Sequence, residues 1–375
     1  MPGIYIHIPY CKQACHYCDF HFSTSLQTKP LMLDALVSEM KLRKDYLEGK
    51  AIQTVYLGGG TPSLLSAPEL KRLFEELQHH FDLAPDAEIT MEVNPDDLNA
   101  LSLKTLSESP VNRLSIGIQS FREEDLKRMN RAHDSKQASL SVKAAQEVGF
   151  SNISIDLIYG LPGLNEQDWR SNLHKAFDLN VQHISSYCLT VEPQTAWAKQ
   201  VKDGSMPMVD DETSSAHFRV MKEEMNWNGF IQYEISNFGK ENFFSRHNSN
   251  YWKREHYLGL GPSAHSFNGL SRQWNIANNN TYIRSVAAGL HDVETETLSE
   301  QQKYNEYVMT SLRTIWGCDL DYIRSMFGER ISSHCLDESE FYLHSGKLVR
   351  KGNLLLLSDE GMLVADRIAS DLFSV

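Results

Sequence analysis

Ile4-Tyr5-Ile6-His7-Ile8-Pro9-Tyr10-Cys11-Lys12-Gln13-Ala14-Cys15-His16-Tyr17-Cys18 opens with a β-rich run and ends in three cysteines spaced C-x3-C-x2-C. A strand that delivers a cluster of reactive side chains at its carboxyl end is the unit from which ligand-binding α/β folds are built. The unit recurs downstream. Further β-rich runs lie at Thr54–Leu57, Glu88–Val93, Arg113–Ile118, Ile153–Ile158 and His183–Leu189. Helical patterns at Leu31–Tyr46, Ala67–Phe81, Leu101–Ser107, Ser135–Val148 and Glu166–Leu179 separate them. This alternation predicts parallel strands joined by crossover helices, in an open doubly wound sheet or an incomplete (β/α)6 barrel.

Both arrangements place ligands beyond the carboxyl ends of the strands, where polar and glycine residues gather. The second strand runs into Gly58-Gly59-Gly60-Thr61-Pro62, and the third ends in Glu92-Val93-Asn94-Pro95. The fourth reaches Gln119-Ser120, and the fifth carries Asp156 ahead of Tyr159-Gly160-Leu161-Pro162-Gly163. Glycines at 59 and 60 leave room for backbone to approach a ligand. The pattern describes one composite site.

The remaining cysteines, Cys188, Cys318 and Cys335, are scattered, so the six do not form a disulfide framework and the compartment is expected to be reducing. Three soft thiolates on a short loop suit an iron–sulfur cluster or a zinc ion. Zinc would need a fourth ligand, for which His16 or His21 is available. A four-iron cluster held by three cysteines leaves one iron open, and in this spacing the amino and carboxylate groups of S-adenosylmethionine suit the vacancy.

The 375 residues are 41% hydrophobic and 23% charged, a globular composition, with a formal net charge of −13. That balance argues against broad nucleic-acid binding, which rests on neutralising phosphates, and so against an RNA-modifying role. With no long apolar run and no basic-then-apolar leader, the expected location is cytoplasmic. Residues 1–210 read as the barrel, 211–298 as a connecting helix near Asp211–Trp227 and an aromatic, His-rich stretch of loop character, and 299–375 as a smaller domain. That last part combines helices at Gln301–Trp316, Leu320–Met326 and Glu360–Phe373 with a hairpin turning at Gly352-Asn353, a winged-helix-like pattern.

Taken together, the cysteine loop, Gly58–Pro62, Ser115-Ile116-Gly117-Ile118-Gln119-Ser120-Phe121 and Asp156–Pro162 resemble the radical S-adenosylmethionine superfamily, and within it the oxygen-independent coproporphyrinogen oxidase group. The oxidase branch carries a fourth cysteine where this chain has Phe20, and a long segment ahead of the cluster where this chain reaches Cys11 directly. The HemW-type heme chaperone branch has Phe at that position and a His-Asn-x-x-Tyr-Trp motif, here His247-Asn248-Ser249-Asn250-Tyr251-Trp252. The resemblance favours the chaperone branch and the partial TIM-like (β/α)6 barrel.

The resemblance implies that Cys11, Cys15 and Cys18 hold a [4Fe-4S] cluster. It implies that Tyr5, Tyr17, Gly59, Gly60, Thr61, Glu92, Gln119, Arg131 and Asp156 surround S-adenosylmethionine, in one or two copies. His247 becomes a candidate axial ligand to heme iron, with Tyr251 and Trp252 as an apolar wall for the macrocycle; His265, in Gly259-Leu260-Gly261-Pro262-Ser263-Ala264-His265-Ser266, is a weaker candidate. Implied partners are heme, as cargo, and acceptor hemoproteins such as respiratory proteins, with homodimerisation and partner-mediated docking at a membrane. The competing reading is coproporphyrinogen III dehydrogenase, a radical oxidative decarboxylase.

Overall fold

The computed structural model describes residues 2–374. Six strands in chain order, β1 (Gly3–Ile8), β2 (Ile52–Gly59), β3 (Leu83–Val93), β4 (Arg113–Gln119), β5 (Ile153–Tyr159) and β6 (His183–Cys188), lie side by side and parallel. Helices Lys29–Arg43, Ala67–His80, Ala100–Ser107, Ser135–Glu147 and Glu166–Asp178 cross between them. Several start on side-chain caps written in the sequence, including reciprocal boxes at Ser66/Glu69 and Asp134/Gln137.

Strand alternation sorts the side chains into two faces. Ile4, Ile6 and Ile8 of β1, Leu114, Ile116 and Ile118 of β4, and Ile153, Ile155 and Leu157 of β5 are all buried in the main apolar core. The opposite face carries Tyr5 and His7, Thr54 and Tyr56, Glu88 and Glu92, Arg113 and Ser115, Ser154 and Asp156, and His183 and Ser185. An apolar face outside and a polar face inside is what a curved sheet needs in order to enclose a ligand.

The sheet extends past the six strands to twelve. Beyond β6 lie β7 (Ile231–Glu234) and β8 (Asn237–Gly239), with β8 antiparallel to β6. Beyond β1 lies β9 (Tyr257–Leu260), parallel to it, followed by antiparallel β10 (His265–Phe267), β11 (Ser271–Asn275) and β12 (Val293–Thr297). The stretch 230–280, read as loop from sequence, therefore supplies strands to both edges and the short helix Arg246–Trp252 between them. These strands are three to five residues long, too short to show a periodicity.

A second apolar cluster holds Tyr304, Val308, Leu312, Ile323, Cys335, Leu355 and Ile368. It joins helices Glu300–Leu312, Leu320–Phe327 and Glu329–His344 to a three-stranded sheet whose hairpin, Leu348–Lys351 with Leu354–Leu357, turns at the expected Gly352-Asn353. The terminal helix expected over Glu360–Phe373 is two, Asp359–Met362 and Ala365–Asp371. Among the described residues no helix is long and apolar enough to cross a membrane.

Candidate functional site

At the carboxyl rim of β1–β6 a cavity of about 430 Å³ is lined by Cys11, Cys15, Cys18, Tyr17, Gly59, Gly60, Thr61, Glu92, Gln119, Arg131 and Asp156. Residues as far apart in sequence as Cys11 and Asp156 thus meet around one space. Tyr5 lines a neighbouring cavity instead, which shares Gly59 and Glu92 with the first. Tyr251 and Trp252 also line that second space, while His247 lines neither.

The three cysteines are free thiols of intermediate exposure. Burial pushes the Cys18 thiol up to about 11 and that of Cys11 above its usual value, so in an empty site these two resist ionisation. A bound cation reverses that preference, because thiolate is the form that ligates metal. Arg131 Nη1 donates to Cys15 Sγ at 3.3 Å. Among the described residues no three His, Cys, Asp or Glu side chains converge where they could hold a single metal ion. A tetrahedral zinc site needs such convergence, whereas a four-iron cluster takes each thiolate on a separate iron. The donor set and its spread fit the cluster better than zinc.

Arg131 is the most heavily tied member of the rim. Its Nη2 donates to Asn94 Oδ1 and to Gly117 O, each at 2.7 Å, and Nη1 donates to Tyr17 Oη at 3.4 Å. Burial opposes its charge, yet Tyr17 and Cys15 beside it keep it firmly protonated. Its Nε is buried with no partner, and so is Nε of Arg113 at the base of the same cavity. Buried donors left unpaired are costly and mark places where an acceptor is expected.

Among the carboxylates that line the cavity, Glu92 and Asp156 have raised pKa values. Burial raises Glu92 to about 7, although Tyr56 Oη donates to Oε1 at 2.8 Å and Gly59 N–H donates to Oε2 at 3.2 Å. Burial raises Asp156 to about 6, with Ser185, Arg113 and Ser115 pulling the other way. Such groups gain most from a cationic or hydroxyl-rich ligand, since either returns them to the charged, hydrogen-bonded state. Gln119 ends β4 with φ of +68°, a left-handed conformation that a non-glycine residue adopts at a cost.

The glycines do something different from what was expected. A Cβ on Gly60 would meet the Tyr10 and Ile8 carbonyl oxygens at 2.6 and 2.7 Å, and one on Gly59, whose φ is +101°, would strike the His7 ring. They are needed for the close passage of this loop over β1, and their approach to a ligand follows from that.

The amino-terminal half of the barrel interior is filled. His247 is 2% exposed, and its Nδ1 pairs with Thr54 Oγ1 at 2.9 Å while Nε2 pairs with Tyr251 Oη at 2.8 Å. Glu88 accepts the backbone N–H groups of Arg246 and His247 at 3.1 and 3.0 Å, anchoring the helix that carries the motif. Burial lowers its pKa to about 3 and keeps the ring neutral, but both ring nitrogens are engaged by hydroxyls, so its lone pair is committed within the protein. In this arrangement His247 packs beneath the site rather than facing either cavity. Its ring stacks on Tyr56 at 5.1 Å, and Tyr56 in turn donates to Glu92, so the motif supports the cavity floor.

Sequence reading singled out neither Asn94 nor Arg113 as a site residue. Asn94 bridges Arg131 and Thr61, donating to Thr61 Oγ1 at 3.1 Å. An arginine opening an apolar strand, and an asparagine one residue beyond a strand, were the available signals.

The Radical SAM superfamily pattern matches residues 5–176. The chain is 32% identical to heme chaperone HemW of Bacillus subtilis, covering 98% of each chain. It is 33% identical to that of Mycobacterium tuberculosis, over 99% of this chain and 94% of the relative. The Escherichia coli relative is 38% identical over 70% of this chain and 69% of its own. Escherichia coli coproporphyrinogen III oxidase, HemN, superposes with a TM-score of 0.87 at 23% identity, covering 100% of this chain and 90% of that one, and so shares its fold. Full-length similarity above 30% to several HemW proteins decides the branch: this chain belongs to the HemW family of the radical SAM superfamily.

Proposed function

We propose that the protein is a heme chaperone that binds heme and passes it to acceptor hemoproteins such as respiratory proteins, while carrying a [4Fe-4S] cluster and S-adenosylmethionine. The observation that carries the reading is the combination of family membership with Phe20, 68% exposed, standing where the oxidase branch has its fourth cysteine. Cys11, Cys15 and Cys18 would hold the cluster. Gly59–Thr61, Glu92, Gln119, Arg131 and Asp156 would hold S-adenosylmethionine, with Glu92 and Asp156 suited to its ammonium and ribose hydroxyls and Arg131 to its carboxylate. When bound, the cluster supplies an electron that can cleave the sulfonium of that cofactor. Tyr17 lines the loop side of the cavity, its ring centroid 6.0 Å from that of buried Trp197.

The fold it shares with HemN keeps coproporphyrinogen III dehydrogenation as the second reading. One anaerobic preparation with reconstituted cluster separates the two. The chaperone reading expects saturable heme binding and no conversion of coproporphyrinogen III. Turnover to protoporphyrinogen, or absence of heme binding, overturns it. Size measured before and after heme addition reads the dimer expected for the family, and membrane docking is expected only in the presence of a partner.

A further inference from the structure

The second cavity, about 790 Å³, lies beside the cysteine cavity and opens between the barrel edge β9–β11 and helix Glu300–Leu312. Its size falls within the range of ~300–1,000 Å³ usual for small-molecule sites. Phe20 and Trp252 give it aromatic walls, and Phe20 also borders the cysteine cavity.

Three histidines line it: His7, His21 and His265. His7 is committed at both nitrogens, Nδ1 to Tyr5 Oη at 3.1 Å and Nε2 to the His21 carbonyl oxygen at 2.8 Å. His21 Nε2 is held by Asn279 Oδ1 at 2.7 Å. His265 is exposed and lines the cavity, with its ring stacked on Trp274 at 5.9 Å and no side-chain hydrogen bond among the described residues. Burial, and then Arg272, hold its pKa below the usual histidine value, so the imidazole is neutral near pH 7 and its lone pair is available.

The hairpin that carries His265 also brings the counter-charge. In β10–β11, His265 pairs with Trp274 and Phe267 with Arg272, which places these four side chains on one face. Arg272 and Arg254 share a single carboxylate, Glu306, with Arg254 Nε at 3.8 Å and itself buried without a hydrogen-bond partner. Arg254, with its unpartnered Nε, and Arg272 are the cations of an aromatic-walled space that the carboxylates of Asp19, Glu92 and Glu306 also line. A flat, iron-bearing ring with two carboxylate arms matches that arrangement.

We propose that heme occupies this second cavity with the His265 imidazole as its axial ligand and with Arg254 and Arg272 holding its propionates. The inference rests on the heme-chaperone reading and assigns its cargo site. Binding forms one iron–nitrogen bond from the imidazole lone pair, without transfer of electrons or loss of a proton.

The test is a heme titration of the full-length, cluster-reconstituted protein, followed by difference absorbance and resonance Raman spectra. Wild type is compared with His265→Ala, His265→Gln, His247→Ala and His21→Ala. We expect both His265 variants to lose about tenfold or more in affinity and to show an altered Soret band, with free imidazole restoring the wild-type spectrum. Arg272→Met should weaken heme but not heme dimethyl ester, which lacks the charged arms. If wild type binds no heme, the chaperone reading itself fails. If wild type binds heme and both folded His265 variants keep its affinity and spectrum, or His21→Ala alone removes the ligation signature, the assignment of His265 is overturned.

Discussion

The inward faces of β1–β6 carry polar side chains along their whole length, yet the two halves of that interior behave in opposite ways. Toward the amino ends the polar groups pair mostly with one another. Thr54 meets His247, Glu88 meets the helix Arg246–Trp252, and Ser154 meets His183, which meets Tyr233 at 2.8 Å. Toward the carboxyl ends Arg131 retains an unpaired Nε, Glu92 and Asp156 sit in surroundings that resist their charge, and three thiols stand free. A buried polar group without a partner costs roughly 1–3 kcal/mol. A fold that leaves several of them at one rim gives up stability at the place where a ligand would return it. The difference between the halves is thus a difference between a scaffold and a site.

The most severe way to break the carboxyl half is to remove a sulfur. Cys15→Ala should abolish the visible absorbance of the reconstituted protein and its bound iron and sulfide, while circular dichroism of the apo-protein stays unchanged. The loop that carries Cys15 contributes little to the main apolar core, so folding does not depend on it. A folded variant that retained stoichiometric sulfide would remove Cys15 from the ligand set.

The amino half should respond in the opposite way. His247→Ala strands the Thr54 and Tyr251 hydroxyls and opens a void behind Tyr56, for an expected loss of about 2–4 kcal/mol in stability. Denaturant unfolding of the apo-protein measures it. Heme affinity and the Soret position should hold, which distinguishes a packing histidine from a ligand. A shifted Soret band in a variant of unchanged stability would reverse the contrast drawn between the halves.

Sequence made the carboxyl half legible and left the amino half obscure, and the reason is geometric. Side chains at strand ends follow local punctuation, so Gly58–Pro62 or Glu92-Val93-Asn94-Pro95 announce themselves at the ends of recognisable strands. The strands were recovered closely: Arg113–Ile118 was expected and Arg113–Gln119 found, Ile153–Ile158 expected and Ile153–Tyr159 found. What fills the amino half comes from residue 233 onward, and only tertiary contact brings it there. Nothing local in His247-Asn248-Ser249-Asn250-Tyr251-Trp252 says that its histidine faces Thr54, 193 residues away. Helix Glu329–His344 escaped for a different reason: its buried face is Ser332, Cys335, Ser339 and Tyr342, in which two serines hide the apolar stripe.

A gentler perturbation of the rim tests the role proposed for Arg131. Arg131→Met removes the charge while keeping much of the length, and leaves Asn94 and the Gly117 carbonyl to water. Affinity for S-adenosylmethionine, measured calorimetrically on reconstituted protein, should fall about tenfold, the equivalent of one charge-assisted hydrogen bond. Cluster content should persist, because Arg131 supports Cys15 without ligating iron. Unchanged affinity would confine Arg131 to a structural part.

The smallest effect is also the most direct reading of the strain at the rim. Glu92 titrates near 7 in the folded, cluster-free protein and near 4.3 in an unfolded chain, so between those values the native state holds a proton that the unfolded state has released. Stability from this group is therefore complete below about pH 4 and is lost as pH rises through 7; Asp156, at about 6, acts in the same direction over a lower window. Glu92→Gln cannot ionise and escapes the loss. Its melting temperature in the cluster-free state should match that of wild type near pH 4.5 and exceed it by roughly 1–3 °C at pH 8. A gap independent of pH would mean that Glu92 is already ionised and paired, and that the carboxyl rim stores less unsatisfied charge than its geometry indicates.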